Sequence, residues 1–370
     1  MATGVVQPAM RTRFDRKAIR RGLNIFFGLS IACFALVFVF THSAETLKAL
    51  RRVDVGFLLL ALVLAAGDVL GGGLRMWVLA RGLSAPLSYV DALRSSLSSI
   101  AMGAVTPSQA GGGPAMVFIL YRSGLPLAEA LSAGAMSFVV TILFFVGAAG
   151  AITVLGVSAS VGGTAIQQIF RYSVAAFMVL GICFIAFTAW PGLLRATLTG
   201  ALRFLSLFRR KHFLRPSGRA HQLLAAADDF HATNATYFRH RLPGLIAAIA
   251  ITAAIFGFKC MIAWCIVRGL GVQAGLWEVA AIQILILLAV YFFPTPGGTG
   301  AAELGSAVLM AAIVPVELLP VYVVLWRVVL MYLAVIVGSV VMLRALGDDT
   351  LVAGREGYGS VEKKFAVSGD

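Results

Sequence analysis

Apolar residues in this chain do not recur at the spacing of a half-buried helix or strand. They run on through whole segments, with the polar positions gathered between them. No charged residue occurs in Ser95–Tyr121, Ala130–Phe170, Tyr172–Leu194 or Val279–Ala302. A helix of about 20 residues crosses the hydrocarbon layer, so each of these intervals is long enough to enter it. The pattern predicts helices over about 23–40 and 56–80, uninterrupted crossings over 127–155 and 170–190, a further helix over 242–267 and a final crossing over 317–343. Two apolar runs are broken: at Thr106–Pro114 and Pro294–Gly300, prolines and glycines collect where one straight helix is not expected. In lipid such a break is tolerated where protein or a polar cavity surrounds it. It reads either as the tip of a re-entrant hairpin or as a kink or external loop between ordinary helices. The limb Pro114–Tyr121 is too short to cross, which fits the hairpin.

The two breaks are related. Subtracting 187 from the numbering lays Pro294, Gly298 and Gly300 on Pro107, Gly111 and Gly113. With no gap it also lays Trp264, Arg268-Gly269-Leu270 and Glu278 on Trp77, Arg81-Gly82-Leu83 and Asp91, eight agreements in identity or charge type. Glycine and leucine are abundant here, so chance matching is the competing explanation. The tryptophan, the acid, the proline and the Arg-Gly-Leu at one offset favour an internal duplication. If each broken element returns to the side it came from, an odd number of full crossings between the copies inverts the second. The expected fold is an all-α polytopic membrane protein, an inverted-topology repeat with two re-entrant Pro/Gly-broken helical hairpins.

Composition fixes the class. The chain is 60% hydrophobic and 12% charged, against about 25% charged in soluble domains, and a soluble bundle would need a polar exterior that these segments lack. The net charge of +14 reports first on cytoplasmic loops facing anionic lipid; no nucleic-acid partner is expected. Residues 1–21 carry Arg11, Arg13, Arg16, Lys17, Arg20 and Arg21 against Asp15 and read as a basic cytoplasmic tail. Residues 193–241 carry nine Lys/Arg against Asp228 and Asp229 and read as a cytoplasmic amphipathic linker. The transmembrane part is then 22–343, with repeat halves centred on 56–155 and 242–343, and 344–370 is a second cytoplasmic tail. Uncharged Gly156–Gln167 resembles an outside loop, whereas Lys48, Arg51 and Arg52 in the outer segment 41–55 weigh against this orientation. No cleavable signal peptide is evident, and the expected location is a bacterial cytoplasmic membrane with both termini inside. The four cysteines lie in apolar helices, and His212, His221, His231 and His240 have no metal spacing, so no disulfide framework, metal or cofactor is expected.

Within the apolar sequence, charges are the candidates for chemistry. Asp68 and Arg75 lie seven residues apart on one helical face, about 10 Å along the axis, too widely spaced for an easy direct pair. Arg75 either faces a polar interior or snorkels to the interface. Arg327 sits deep in the final crossing, and Glu303, which follows the second break, is its expected partner. Gly111, Gly112, Gly113 and Gln109 in the first break, and Gly297, Gly298 and Gly300 in the second, offer backbone donors for an anion. Asp91 and Arg94 are spaced to pair on one face. Together these residues describe a polar site suited to an anionic head group such as a lipid phosphate. No Walker sequence, metalloprotease motif, Gly-x-Ser-x-Gly elbow or serine-lysine pair occurs, so ATPase, protease and esterase readings lack their parts. Lipid flipping is the first functional expectation, a membrane-embedded lipid-modifying transferase the second, and a purely structural protein the third. Against the first stands a static Glu303–Arg327 pair.

The run Pro294-Thr-Pro-Gly-Gly-Thr-Gly-Ala-Ala-Glu303 resembles the Pro-Gly-Gly-x-Gly-x-x-Glu signature of the flippase-like lysylphosphatidylglycerol synthase transmembrane family. Arg75-Met76-Trp77 resembles the Arg-Trp pair ending that family's second helix, and Arg327 matches its late intramembrane arginine. The resemblance spans about residues 22–343. It is weaker at the first break, where Gly113 is followed by Pro114 and Met116 in place of the family's acid-base pair. It implies movement of an amphiphilic lipid, a membrane lipid as substrate, and a lipid-synthesis enzyme as possible partner, or else an accessory role in a lipid or hopanoid biosynthetic pathway. No soluble aminoacyl-transferase domain follows Leu343 in this sequence, so synthesis of lysylphosphatidylglycerol is not implied.

Overall fold

The computed structural model describes residues 16–41, 53–81, 83, 86–154, 230–235 and 242–346, with isolated positions between 168 and 200. The expected outer loop Gly156–Gln167, most of the crossing over 170–190, most of the linker over 193–241 and the outermost parts of both tails lie outside these residues. The helices are α1 Arg16–Thr41, α2 Val55–Ala80, α3 Tyr89–Val105, α4 Gly112–Arg122, α5 Leu127–Val154, α6 Leu242–Gly269, α7 Leu276–Phe292, α8 Glu303–Met310 and α9 Leu319–Arg327. A π-helical turn, Val328–Tyr332, then leads into α10 over 333–346. Among the described residues, five helical segments are long and apolar enough to cross a membrane: Ala18–Val39, Val55–Ala80, Leu127–Ala151, Leu242–Gly269 and Val316–Leu346. The chain is a multi-pass membrane protein.

Helices α2 and α6 run antiparallel against each other and form the spine. The start of α2 is tied to the end of α6 by Asp54 N–H donating to the Gly269 carbonyl at 2.9 Å, while the Asp54 carboxylate caps α2 by accepting from Gly56 N at 2.7 Å. Farther along, Gly67 meets the Phe258 ring and Gly71 meets Ile255, so closely that an added Cβ would stand 3.2 and 3.0 Å away. Small residues at such crossings let helices approach where lipid supplies no hydrophobic drive. Ala61, Leu64, Ile262, Ala263 and Ile266 fill the seam and continue into Tyr322 and Trp326 of α9.

The helix bounds carry the offset seen in the sequence. Shifted by 187, α3 (89–105) becomes 276–292, the bounds of α7, and the start of α2 at 55 becomes 242, the start of α6. The matched positions also carry local bonds at corresponding places, although the two helix caps run in opposite senses. Ser88 accepts from Asp91 N at 3.1 Å to cap α3, and Glu278 accepts from Gly275 N at 3.4 Å at the start of α7. Arg81 lies over the Trp77 ring at 4.8 Å, and Arg268 over Trp264 at 5.9 Å.

In the turns that register changes. Gln109 N donates to Thr106 O and Ala110 N to Pro107 O, and the same bonds recur as Gly298 N to Thr295 O and Thr299 N to Pro296 O. The turns therefore correspond at an offset of 189 (296 − 107 = 189), so Pro107 matches Pro296 and Gly111 matches Gly300, correcting the ungapped alignment of Pro107 with Pro294. Phe293 and Pro294 are two extra residues between the end of α7 and its turn. The two turns touch: Pro107 and Pro296 form an antiparallel bridge, and Ser108 Oγ donates to the Phe293 carbonyl at 3.4 Å.

Gly297 and Gly298 have φ of 60° and 65°, and their counterparts Ser108 and Gln109 hold 50° and 56°. Left-handed backbone costs a non-glycine residue about 1–2 kcal/mol, and glycine loses part of that gain through unfolded-state entropy. Gln109→Gly should therefore raise stability by about 0.5–1 kcal/mol, read as a higher thermal unfolding midpoint of the purified protein; a lower midpoint would contradict this account.

Three boundaries differ from the sequence expectation. Helix α1 begins at Arg16, so the basic tail is partly helical, in keeping with the good helix propensity of arginine and lysine. Helix α4 begins at Gly112, with Pro114 in its first turn, where no intrahelical N–H is required. The final crossing is not one regular helix. It opens with the 3-10 turn Val316–Leu318 and widens into the π turn immediately after Arg327.

Candidate functional site

Two charged centres occupy the interior. The first belongs to a cavity of about 400 Å³ walled by α2, α3, the first turn, α5, α6 and α7. Helical periodicity builds it: Asp68, Gly72 and Arg75 recur at i, i+4, i+7 on α2, Ser96, Ser99 and Gly103 on one face of α3, and Ile255, Phe256 and Lys259 on α6. The stripes on α2 and α3 are polar or small, whereas α6 contributes Lys259 beside the apolar Ile255 and Phe256.

Lys259 Nζ stands 2.5 Å from Asp68 Oδ2, with side chains 20% and 8% exposed. Asp68 is thus held by α6 and not by Arg75, in keeping with a spacing too wide for an easy direct pair. Seven residues of helix keep Asp68 and Arg75 apart, whereas the crossing of α2 and α6 brings the lysine directly to the carboxylate. Arg75 turns toward α5, where Nη1 donates to Thr141 Oγ1 at 3.2 Å, and the Thr141 hydroxyl donates onward to the Ser137 carbonyl at 2.9 Å. The Nε of Arg75 is buried and has no hydrogen-bond partner among the described residues. Two cations against one carboxylate leave the cavity one positive charge in excess. Gly112 and Gly113 open α4 at its wall, so the positive end of that helix's dipole adds to the same sign. Gln109 and Tyr291 complete the polar lining.

The second centre is closed. Arg327 Nε donates to Glu303 Oε1 at 2.8 Å, the pairing expected from the sequence, and the two side chains are 3% and 0% exposed. Glu303 also accepts from Gly300 N at 2.8 Å and from Ser30 Oγ at 3.3 Å. Arg327 reaches Met331 Sδ, four residues on, at 2.9 Å, and the Gly297 carbonyl at 3.4 Å. Trp326 and Tyr332 each lie 5.9 Å from its guanidinium. The pair thereby joins α1, the second turn, α8 and α9 in one buried network.

Of the residues singled out from the sequence, Asp68, Arg75, Gln109, Gly112 and Gly113 line the cavity; Gly111, Gly297, Gly298, Gly300, Glu303 and Arg327 do not. Lys259 was not among the residues singled out from the sequence. The available signal was a lysine in the middle of an apolar span, which requires a partner, but the partner's identity depends on how two distant helices cross.

Comparison with known proteins agrees with the fold. The chain is similar to a UPF0104 membrane protein of Archaeoglobus fulgidus, 24% identical over 315 residues, covering 84% of this chain and 93% of that one. Residues 25–338, from within α1 to within α10, match the model of the lysylphosphatidylglycerol synthase TM region, and the chain belongs to that family.

Proposed function

We propose that the protein moves an amphiphilic lipid with an anionic or glycosylated head group between leaflets through the cavity at Arg75. The observation that carries this reading is the buried, unsatisfied Nε of Arg75 in a polar cavity of net positive charge. A buried donor without a partner is costly, and a phosphate oxygen satisfies it with a charge-assisted bond. Lys259 supplies the second cation. Asp68 holds it while the site is empty, and an arriving head group competes with that carboxylate. Acyl chains remain in lipid while the head group passes.

The matched helix bounds, the matched turns and the bridge between Pro107 and its counterpart Pro296 support an inverted repeat. Pairing of a residue with its own counterpart is the contact expected on a pseudo-two-fold axis. In this reading α3–α4 and α7–α8 are re-entrant hairpins whose tips meet inside the membrane. The protein sits in a bacterial inner membrane with both termini cytoplasmic, and the rocking of the halves needs no nucleotide hydrolysis by this chain. Arg327 and Glu303 build the second turn, and the head group meets Arg75 and Lys259.

The test is transbilayer movement of fluorescent phosphatidylglycerol and phosphatidylcholine in proteoliposomes. Arg75→Ala should slow movement of the anionic lipid by about tenfold, the equivalent of one lost charge-assisted bond. Arg75→Lys should fall between, since it keeps the charge without the planar fork. If wild-type protein accelerates no lipid but modifies one when given an activated donor, the transferase reading replaces this one.

A further inference from the structure

A second cavity, of about 370 Å³, shares no lining residue with the first. It lies where three helix ends converge, at the start of α3, the end of α4 and the end of α10, and each end contributes an arginine: Arg94, Arg122 and Arg344. Asp91 is the sole carboxylate among the described lining residues. We propose that this cavity is a binding site for a phosphate-ester anion, separate from the interior cavity.

The pre-organisation is visible in the bonds. Ser88 Oγ donates to Asp91 Oδ2 at 2.6 Å, and Arg94 Nη1 donates to Asp91 Oδ1 at 3.1 Å. One carboxylate, itself fixed by the α3 cap, thus orients the Arg94 fork. Arg122 donates from Nη1 to the Ala345 carbonyl, fastening the end of α4 to the end of α10. Arg344 has no hydrogen-bond partner among the described residues. Formal charge decides the sign of the ligand: among the described lining residues, three guanidiniums against one carboxylate leave +2. The helix termini partly oppose this, because two C-terminal ends and one N-terminal end leave about half a negative charge. The excess remains positive, and guanidinium forks suit phosphate oxygens geometrically. Ile119 and Val341 make the other wall apolar, which suits a phosphate carrying a glycerol or acyl stem. The same chemistry is supplied by a phospholipid head group or by a soluble phosphate, and the experiment separates the two.

Affinity of the purified full-length protein in detergent would be measured by native mass spectrometry and thermal unfolding. The probes are phosphatidylglycerol, phosphatidylcholine and inorganic phosphate. Arg94→Gln combined with Arg344→Gln changes two exposed side chains and should leave the fold intact. The expected result is tighter binding of phosphatidylglycerol than of phosphatidylcholine, weakened about tenfold in the double variant and retained in Arg75→Ala, so that failure here is distinct from failure of the interior cavity. Arginine-dependent protection by inorganic phosphate alone supports the anion site and assigns a soluble source. Equal binding of phosphatidylglycerol by wild type and double variant, with no arginine-dependent effect of phosphate, overturns the proposal.

Discussion

Replacing Arg327 with methionine should destabilise the protein by about 3–5 kcal/mol, the cost of leaving one member of a buried ion pair uncompensated. Glu303 would keep the amide of Gly300 and the hydroxyl of Ser30, but its charge would stay in an interior where it is 0% exposed. Adding Glu303→Leu should recover most of the loss, because removing both charges removes the imbalance. A residual deficit of about 1 kcal/mol is expected from the orphaned Gly300 amide. Unfolding by mixed micelles of sodium dodecyl sulfate, followed by tryptophan fluorescence, measures both variants against the wild type. A double variant as unstable as the single one would show that charge imbalance is not the cause. The double variant should also retain lipid movement if the pair is a scaffold, since neither residue lines the interior cavity. Loss of movement in a correctly folded double variant would return Arg327 to the transport path.

Gly338→Val should cost about 3 kcal/mol through overpacking. A Cβ on Gly338 would stand 2.2 Å from the carbonyl oxygen of Leu97 and 3.1 Å from Ala101 Cβ. The obstacle is backbone, so α10 or α3 must shift bodily. Ser96, Ser99, Ile100 and Gly103 of α3 line the interior cavity, so the shift should also reduce lipid movement. Gly338→Ala should rank between wild type and valine in thermal unfolding. Gly257→Ala is the control, because nothing lies within 4 Å of its Cβ position; it should be neutral or stabilising by up to about 1 kcal/mol, the helix propensity difference. If Gly338→Ala behaves like Gly257→Ala, the close approach of α10 to α3 is not a requirement of the fold.

The correspondence at one offset was legible because the matched residues serve local structure. Asp91 and Glu278 stand in the first turns of their helices, Trp77 and Trp264 carry the guanidiniums of Arg81 and Arg268, and such roles recur whenever a unit is copied. The two-residue slip in the turns was not legible. Pro294 and Pro296 are equally good matches to Pro107 by identity, and the hydrogen bonds within each turn decide between them.

The sequence by itself determined the class, the positions of the membrane-capable helices, the two broken elements and the pairing of Glu303 with Arg327. These follow from local rules: apolar length, glycine and proline in an apolar run, and the cost of a lone buried charge with an opposite charge beside a nearby turn. Only the tertiary structure decided that Asp68 belongs to Lys259, 191 residues away, that Arg75 turns to Thr141, and that the two buried centres are separate. Which side chains meet across antiparallel helices depends on axial register and rotation. Lipid-facing apolar surface constrains both weakly, so small residues such as Gly67, Gly71 and Gly338 set them through direct contact.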